Sequence, residues 1–190
     1  GITRENSQLR ANHGPWYYEM QYLGYNYRMT DIQAALGSSQ LKKLDAFVRR
    51  RREIAQAYAK GFQDMKEILC PLCPPETLPE SLGENHSEND GLVSAWHLYV
   101  IRLNLDRLTA GRKEVFQALL KENIGVNVHY IPVYYLPYYQ SLGYPIGLCP
   151  NTESYYEQAV TLPLYPAMTS RDVDDVIRAV KKVISFYVEN

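Results

Sequence analysis

The sequence is poor in the features that mark membrane, secreted or nucleic-acid-binding proteins. No apolar run approaches the roughly 18 residues that a membrane-spanning helix needs, and the first residues form neither a basic nor an apolar leader. Three cysteines are an odd and low number for a secreted disulfide scaffold. The formal net charge is -1, from 20 basic and 21 acidic residues, so no global charge attracts polyanions. We therefore expect a soluble cytoplasmic protein that binds neither nucleic acid nor a membrane.

The sequence also lacks a self-contained catalytic motif. It holds no serine or cysteine nucleophile motif, no paired metal ligands and no glycine-rich phosphate loop after a strand. Cys70 and Cys73 have the spacing of a zinc half-site or a redox pair, but no second pair follows and the surrounding prolines favour a surface loop. Lys42 and Lys43 are interpreted as surface lysines. We predict no metal site and no catalytic residue within these 190 residues.

Tyrosine is the residue in excess, with 17 tyrosines against 4 phenylalanines. A tyrosine combines a stacking face with a hydroxyl, which suits polar and sugar-like ligands. Several tyrosines fall in the proline- and glycine-containing segment 131–150, which is long for a simple connection and is therefore predicted to be functional.

The clearest helix start follows the segment 24–29. Thr30 is the predicted N-cap, and Gln33 stands where a capping box requires a Glu or Gln. Apolar residues then recur with a mostly helical period as far as Phe62, so we predict one long helix, with a break near Gly37 or around Asp45 as the alternative. The arginines at 49–52 are interpreted as a solvated face carrying ion pairs.

The rest of the chain alternates strands and helices. The patterns predict a linker at 70–93, a central strand at 94–105, a helix at 111–123, a strand at 125–130, a short helix from Asn151, an extended piece at 161–166 and a last helix capped by Thr169 or Ser170. We therefore predict an α/β (α+β) fold: residues 1–62 form an interface loop and long linking helix, and residues 63–190 form a small domain whose sheet is covered by helices.

Two polar pairs at element ends are the candidate binding residues. The amide of Asn26 can donate to a phosphate oxygen, and the guanidinium of Arg28 can bind a phosphate or carboxylate with two parallel hydrogen bonds. His129 and Tyr130 end a predicted strand and enter the tyrosine-rich loop, although spacing alone favours a structural role for His129. His97 lies within a predicted strand and is interpreted as a core histidine.

The motifs around these residues resemble the C-terminal part of the nucleotide-sugar aminotransferases of the DegT/StrS family, which are fold type I pyridoxal-phosphate enzymes. The resemblance covers nearly the whole chain and is weakest at 70–93. It is carried by four ordered pieces, which are residues 24–35 (GYNYRMTDIQAA), 94–99 (SAWHLY), 124–133 (IGVNVHYIPV) and 162–166 (LPLYP).

The resemblance implies a homodimer with active sites at the subunit interface. In that arrangement Asn26 reaches the partner's cofactor phosphate, Arg28 binds the phosphates of the nucleotide sugar, and His129 and Tyr130 belong to the substrate-binding segment. The Schiff-base lysine and the aspartate that pairs with the pyridine nitrogen belong to a large domain expected to precede Gly1, so this chain alone is expected not to transaminate.

The implied reaction transfers an amino group from glutamate or glutamine to a keto-sugar nucleotide, in cell-surface or secondary-metabolite sugar biosynthesis. Two alternatives stay open. One is a non-catalytic subunit for nucleotide-sugar binding or dimerisation, and the other is part of a pyridoxal-phosphate sugar dehydratase, in which histidine replaces the lysine. The sequence does not decide which sugar carbon is aminated.

Overall fold

The computed structural model describes residues 1–11, 13–72 and 94–188. The chain divides into two units, Gly1–Lys43 and Leu44–Asn190. Among the helices formed by the described residues, none is both long and apolar enough to cross a bilayer.

The first unit consists of a small hairpin, irregular segments and one helix. Strands β1 (Ile2–Thr3) and β2 (Glu19–Met20) pair antiparallel, and helix α1 spans Asp31–Leu41. The carboxylate of Glu19 accepts hydrogen bonds from the Arg10 and Ala11 amides, which organises the loop between the strands. None of the described residues of this unit is buried, so its conformation rests on local hydrogen bonds rather than on a core.

The predicted single long helix is wrong, because the structure contains two helices. Helix α1 ends at Leu41 and helix α2 spans Leu44–Phe62. The Lys43 amide donates to the Gln40 carbonyl, three residues earlier, which ends the α-helical pattern at Lys42 and Lys43. The break thus lies next to Asp45, one of the two positions at which a break was the alternative.

The boundary between the two units lies between Lys43 and Leu44, which is earlier in the chain than the boundary after Phe62 expected from the sequence. Helix α2 buries Ile54, Ala55, Tyr58 and Phe62 in the core of the second unit. Because a helix belongs with the core that covers its apolar face, α2 is described with the second unit, and its predicted role as a linking helix stays a prediction.

A three-stranded antiparallel sheet forms the centre of the second unit. Its strands are β3 (Ile68–Leu69), β4 (Tyr99–Leu103) and β5 (Ala159–Leu162), in the order β3-β4-β5. The prediction of a central strand in 94–105 is confirmed, since β4 lies between the other two. Every second residue of β4 is buried, namely Tyr99, Ile101 and Leu103.

Further helices belong to the second unit. They are α3 (Arg112–Lys121), α4 (Pro137–Ser141), α5 (Pro150–Gln158) and α6 (Ser170–Phe186). Helix α6 packs against α2 and α3, α3 also contacts β5, and α5 contacts β4. Thr169 caps α6 in a capping box with Asp172, which confirms the predicted start of this helix. The α/β (α+β) prediction is confirmed.

Two local predictions in the second unit are wrong, and a third holds in part. Residues 125–130 form no strand: Asn127 alone pairs with Thr161, and the Asn127 side chain rather than a neighbouring strand accepts from the Val128 amide. Helix α5 begins at Pro150, so Cys149 and not Asn151 is its N-cap residue. Residues 49–52 agree in part with the predicted solvated face, since Arg49 is exposed and Arg50 forms an ion pair with Glu53 at 2.8 Å. Arg51 instead donates to three backbone carbonyls, those of Trp96, His97 and Leu164.

Candidate functional site

The segment before α1 presents Asn26 and Arg28 on a fixed helix start. The Thr30 hydroxyl accepts from the Gln33 amide at 3.3 Å, and the Gln33 side chain accepts from the Thr30 amide at 3.0 Å. The predicted capping box is therefore confirmed. It fixes the direction in which the preceding residues enter the helix.

Asn26 and Arg28 are joined to each other by a short-range hydrogen bond. The Asn26 Oδ1 atom accepts from the Arg28 backbone amide at 3.3 Å. This bond occupies the amide oxygen and leaves the two N–H groups of Asn26 as donors. In the described part of the chain, no hydrogen bond or ion pair is recorded for those N–H groups or for the Arg28 guanidinium.

The surroundings of these two residues are aromatic and exposed. The rings of Tyr25 and Tyr27 lie 5.7 Å apart, and their exposed fractions are 85% and 87%. Unpaired N–H donors beside exposed rings suit an anionic ligand with an oxygen-rich group and a stacking face. The donor set fits the phosphate of pyridoxal phosphate, because a phosphate offers only acceptor oxygens.

His129 and Tyr130 lie in the second unit, after the single bridge between Asn127 and Thr161. The His129 Nδ1 atom is 2.9 Å from the Thr161 hydroxyl, and the ring is half-buried. Tyr130 is 63% exposed. The structure thus connects Asn26 with Arg28 and His129 with Thr161, each pair within its own unit.

His97 was interpreted as a core histidine, and this interpretation is wrong. Trp96 has a φ of 49° and turns the chain before β4 begins at Tyr99, so His97 precedes the strand and is exposed. Its carbonyl accepts from Arg51.

Burial raises the pKa of the Cys70 thiol, a direction opposite to the one that activates a thiol as nucleophile or metal ligand. Cys73 and most of the predicted linker lie outside the described residues. Among the described residues, no group of three or more His, Cys, Asp or Glu side chains could hold a metal ion.

The loop that follows Tyr130 is held by a carboxylate that the sequence did not single out. The Glu153 carboxylate accepts from the Tyr134 hydroxyl at 2.8 Å and from the Gly147 amide at 2.7 Å. Gly147 has a φ of 88°, a conformation that favours glycine. Desolvation and the neighbouring Glu153 raise the pKa of Tyr134 to about 12. Hydrogen bonds from both halves of the tyrosine-rich loop, at Tyr134 and at Gly147, therefore hold it against α5.

A groove of about 830 Å³ lies elsewhere in the second unit, beside α6. It is lined by residues such as Ile124, Pro163, Tyr165 and Val176, and contains neither His129 nor Tyr130. The Lys182–Glu122 ion pair lies at its wall and is open to solvent, so it contributes little to stability.

Comparison with known proteins identifies the family. The profile of the DegT/DnrJ/EryC1/StrS aminotransferase family matches residues 2–181. The chain belongs to this family. The resemblance found in the four sequence pieces is thereby confirmed.

Two curated proteins have related sequences. The spore coat polysaccharide biosynthesis protein SpsC of Bacillus subtilis is 42% identical over 186 residues, and the uncharacterized protein MJ1066 of Methanocaldococcus jannaschii is 40% identical over 186 residues. Each alignment covers 97% of this chain and 44% of the relative. The chain therefore spans less than half the length of these two relatives.

A solved structure of another protein has the same fold. The putative sugar aminotransferase Spr1654 from Streptococcus pneumoniae, in its PMP form, superposes with a TM-score of 0.74 at 30% identity. The match covers 92% of this chain and 40% of that one. Pyridoxal phosphate is accordingly the cofactor expected for the family to which this chain belongs.

Proposed function

We propose that this chain is the C-terminal segment of a pyridoxal-phosphate-dependent aminotransferase that moves an amino group from glutamate or glutamine to a keto-sugar nucleotide. The family match over residues 2–181 carries this proposal. When bound, the cofactor supplies the electron sink for the transfer of the amino group. The residues of this chain bind and orient phosphate and sugar groups.

The proposed role of Asn26 is to hold the cofactor phosphate, and that of Arg28 is to bind the phosphates of the substrate. Both residues are exposed and precede a capped helix start, and their side-chain N–H groups are donors of the kind that bind phosphate. His129 and Tyr130 are proposed to contact the substrate. The exposure of Tyr130 is compatible with this role.

We further propose that the Schiff-base lysine lies outside these residues, in a large domain that completes the protein. All eight lysines of the sequence lie in the described part, and all eight are exposed. A lysine that acts as a nucleophile at neutral pH is usually desolvated, which none of these is. The lengths of the relatives, of which this chain covers 44%, also support a larger protein.

A homodimer with the active site at the subunit interface is part of the proposal. Apolar side chains of the first unit are exposed to a degree unusual for an isolated protein, including Leu23 at 94% and Ile32 at 82%. The isolated chain is expected to self-associate through such surface, and sizing that shows a clean monomer over a wide concentration range would contradict this. A cytoplasmic location stays a prediction.

The roles of Asn26 and Arg28 can be tested in the complete enzyme that contains this chain. Arg28→Ala should raise the KM for the nucleotide sugar about 10- to 100-fold, because a charge-assisted hydrogen bond contributes about 1.5–3 kcal/mol. Asn26→Ala should instead weaken retention of the cofactor on dialysis. Arg49→Ala removes the same charge from an exposed arginine on α2 and serves as the control.

The location of the lysine can be tested on the 190-residue chain itself. After incubation with pyridoxal phosphate and borohydride reduction, mass spectrometry should find no stoichiometric adduct on any one lysine. A single stoichiometric adduct would overturn the proposal that the lysine lies elsewhere. Amino transfer by the complete enzyme, rather than loss of water from the sugar, would decide against the dehydratase alternative.

A further inference from the structure

Among the residues that the structure describes, Thr161 is the only buried one with a polar, non-aromatic side chain. It is 5% exposed and lies in β5, where all four residues are buried. Its backbone is paired with Asn127 in both directions, through bonds of 2.7 Å and 3.1 Å. Because Asn127 is two residues before His129, this bridge also fixes the chain that carries the histidine.

The hydroxyl of Thr161 has one recorded partner in the described part of the chain, the Nδ1 atom of His129 at 2.9 Å. A buried hydroxyl whose hydrogen finds no acceptor loses the free energy of its hydration, so the hydrogen should point to an available lone pair. The lone pair of Nδ1 is such an acceptor only when the proton of the neutral ring is on Nε2.

We propose that Thr161 is a positioning residue that fixes His129 in the Nε2–H tautomer, so that the ring offers an N–H donor to an oxygen of the substrate. This inference rests on the proposed substrate-binding role of His129. His129 is half-buried and its Nδ1 atom faces the buried hydroxyl, so Nε2 is the ring nitrogen that remains for a ligand.

The tautomer of His129 determines which ligand atoms the ring can bind. The other neutral tautomer would turn a lone pair toward the ligand and repel phosphate, carboxylate or hydroxyl oxygens that offer lone pairs of their own. With Thr161 as donor, His129 contributes a hydrogen bond to such an oxygen without carrying a charge. His129 in this tautomer would therefore favour substrates that place an acceptor oxygen next to its Nε2 atom.

The first test is the tautomer itself, measured on the full 190-residue chain labelled with ¹⁵N-histidine. Proton–nitrogen correlation spectra at about pH 8.5, two units above the ordinary histidine pKa of about 6.5, separate the protonated from the unprotonated ring nitrogen. His129 should show Nε2 protonated and Nδ1 shifted by an accepted hydrogen bond. The exposed His97 provides the reference for a ring in water.

Two substitutions separate the hydroxyl from the shape of the side chain. Thr161→Val keeps the β-branched shape and should move the His129 Nδ1 signal toward the averaged values of His97, while Thr161→Ser should restore it. Thr109→Val removes another hydroxyl, one that donates to the Tyr187 carbonyl at 3.1 Å, and should leave His129 unchanged. Nδ1 protonation in the parent chain, or an unchanged signal in Thr161→Val, would overturn the proposal.

The second test measures whether the N–H group of His129 contributes to binding of the substrate. In the complete enzyme, Thr161→Val should raise the KM for the nucleotide sugar about three- to tenfold, since a neutral hydrogen bond contributes about 0.5–1.5 kcal/mol, and Thr161→Ser should restore it. Cofactor retention should not change. A changed ¹⁵N spectrum with an unchanged KM would overturn the donor role and the proposed role of His129, while leaving the aminotransferase assignment intact.

Discussion

Helices α1 and α6 begin in the same way and lie in different surroundings. Thr30 caps α1 and Thr169 caps α6, each in a reciprocal capping box. Helix α6 then buries a stripe of six residues, whereas α1 buries none. Local hydrogen bonds therefore define where a helix starts in both units, and only the second unit adds a core that can stabilise the helix further.

The largest expected difference between the units concerns apolar truncation. Ile101→Ala in β4 should lower the free energy of unfolding by about 2–5 kcal/mol, because Ile101 is fully buried and its removal leaves a cavity. Ile32→Ala in α1 should change it by less than about 0.5 kcal/mol, since Ile32 is 82% exposed. Urea unfolding followed by circular dichroism measures both. Equal losses would contradict the contrast between the units.

An intermediate effect is expected for the buried hydroxyl of Tyr58, which donates to the Pro163 carbonyl at 2.7 Å. Tyr58→Phe should cost about 1–2 kcal/mol, since the carbonyl loses its partner. Burial raises the pKa of Tyr58, so the unfolded chain releases this proton at a lower pH than the folded chain does. The tyrosine's contribution to stability is thus complete below about pH 10, the ordinary tyrosine pKa, and is lost as pH rises above it.

Urea unfolding at pH 9 and at pH 11 tests whether stability falls as the pH rises, as the raised pKa of Tyr58 predicts. The parent chain should lose stability between the two values, and Tyr58→Phe should lose less. Tyr134 adds to the alkaline loss, because its pKa is raised to about 12, so some pH dependence should persist in the variant. Tyr22→Phe alters a tyrosine that is 78% exposed in the first unit and is the matched control.

The smallest expected change in the free energy of unfolding comes from removing the two helix caps, and it should differ between them. Thr169→Ala should lower the global free energy of unfolding by about 1 kcal/mol, the usual cost of losing such a cap. Thr30→Ala should leave global unfolding unchanged, since α1 contributes nothing to the core, and should accelerate hydrogen exchange of the Gln33 amide. If both variants lower global stability equally, α1 is coupled to the core. In the complete enzyme, Thr30→Ala should also weaken cofactor retention.

Features specified by neighbouring residues were predictable from the sequence. Thr30, Thr169 and the helix 111–123 each depend on signals within a few positions, and all three agree with the structure. The alternation of Tyr99 and Ile101 was also readable as a strand, because its period reports which side chains face the core.

Features that depend on distant partners were not predictable. Arg51 donates to carbonyls 45, 46 and 113 residues away, and no local pattern marks such a contact. The link between His129 and Thr161 joins residues 32 positions apart. A threonine among apolar residues looks like an ordinary strand former, so no local signal pairs Thr161 with the histidine. The roles of Asn26, Arg28, His129 and Tyr130 remain predictions.

The position of the break between α1 and α2 has a consequence for building chimeric enzymes. All the buried apolar residues of the described part lie after Lys43, beginning with Ile54 of α2. A crossover between two family members at Lys43 and Leu44 would transfer the second unit with its core intact. A crossover after Phe62 would instead combine Ile54, Tyr58 and Phe62 of one parent with the sheet of another, and mismatched side-chain volumes would destabilise the hybrid.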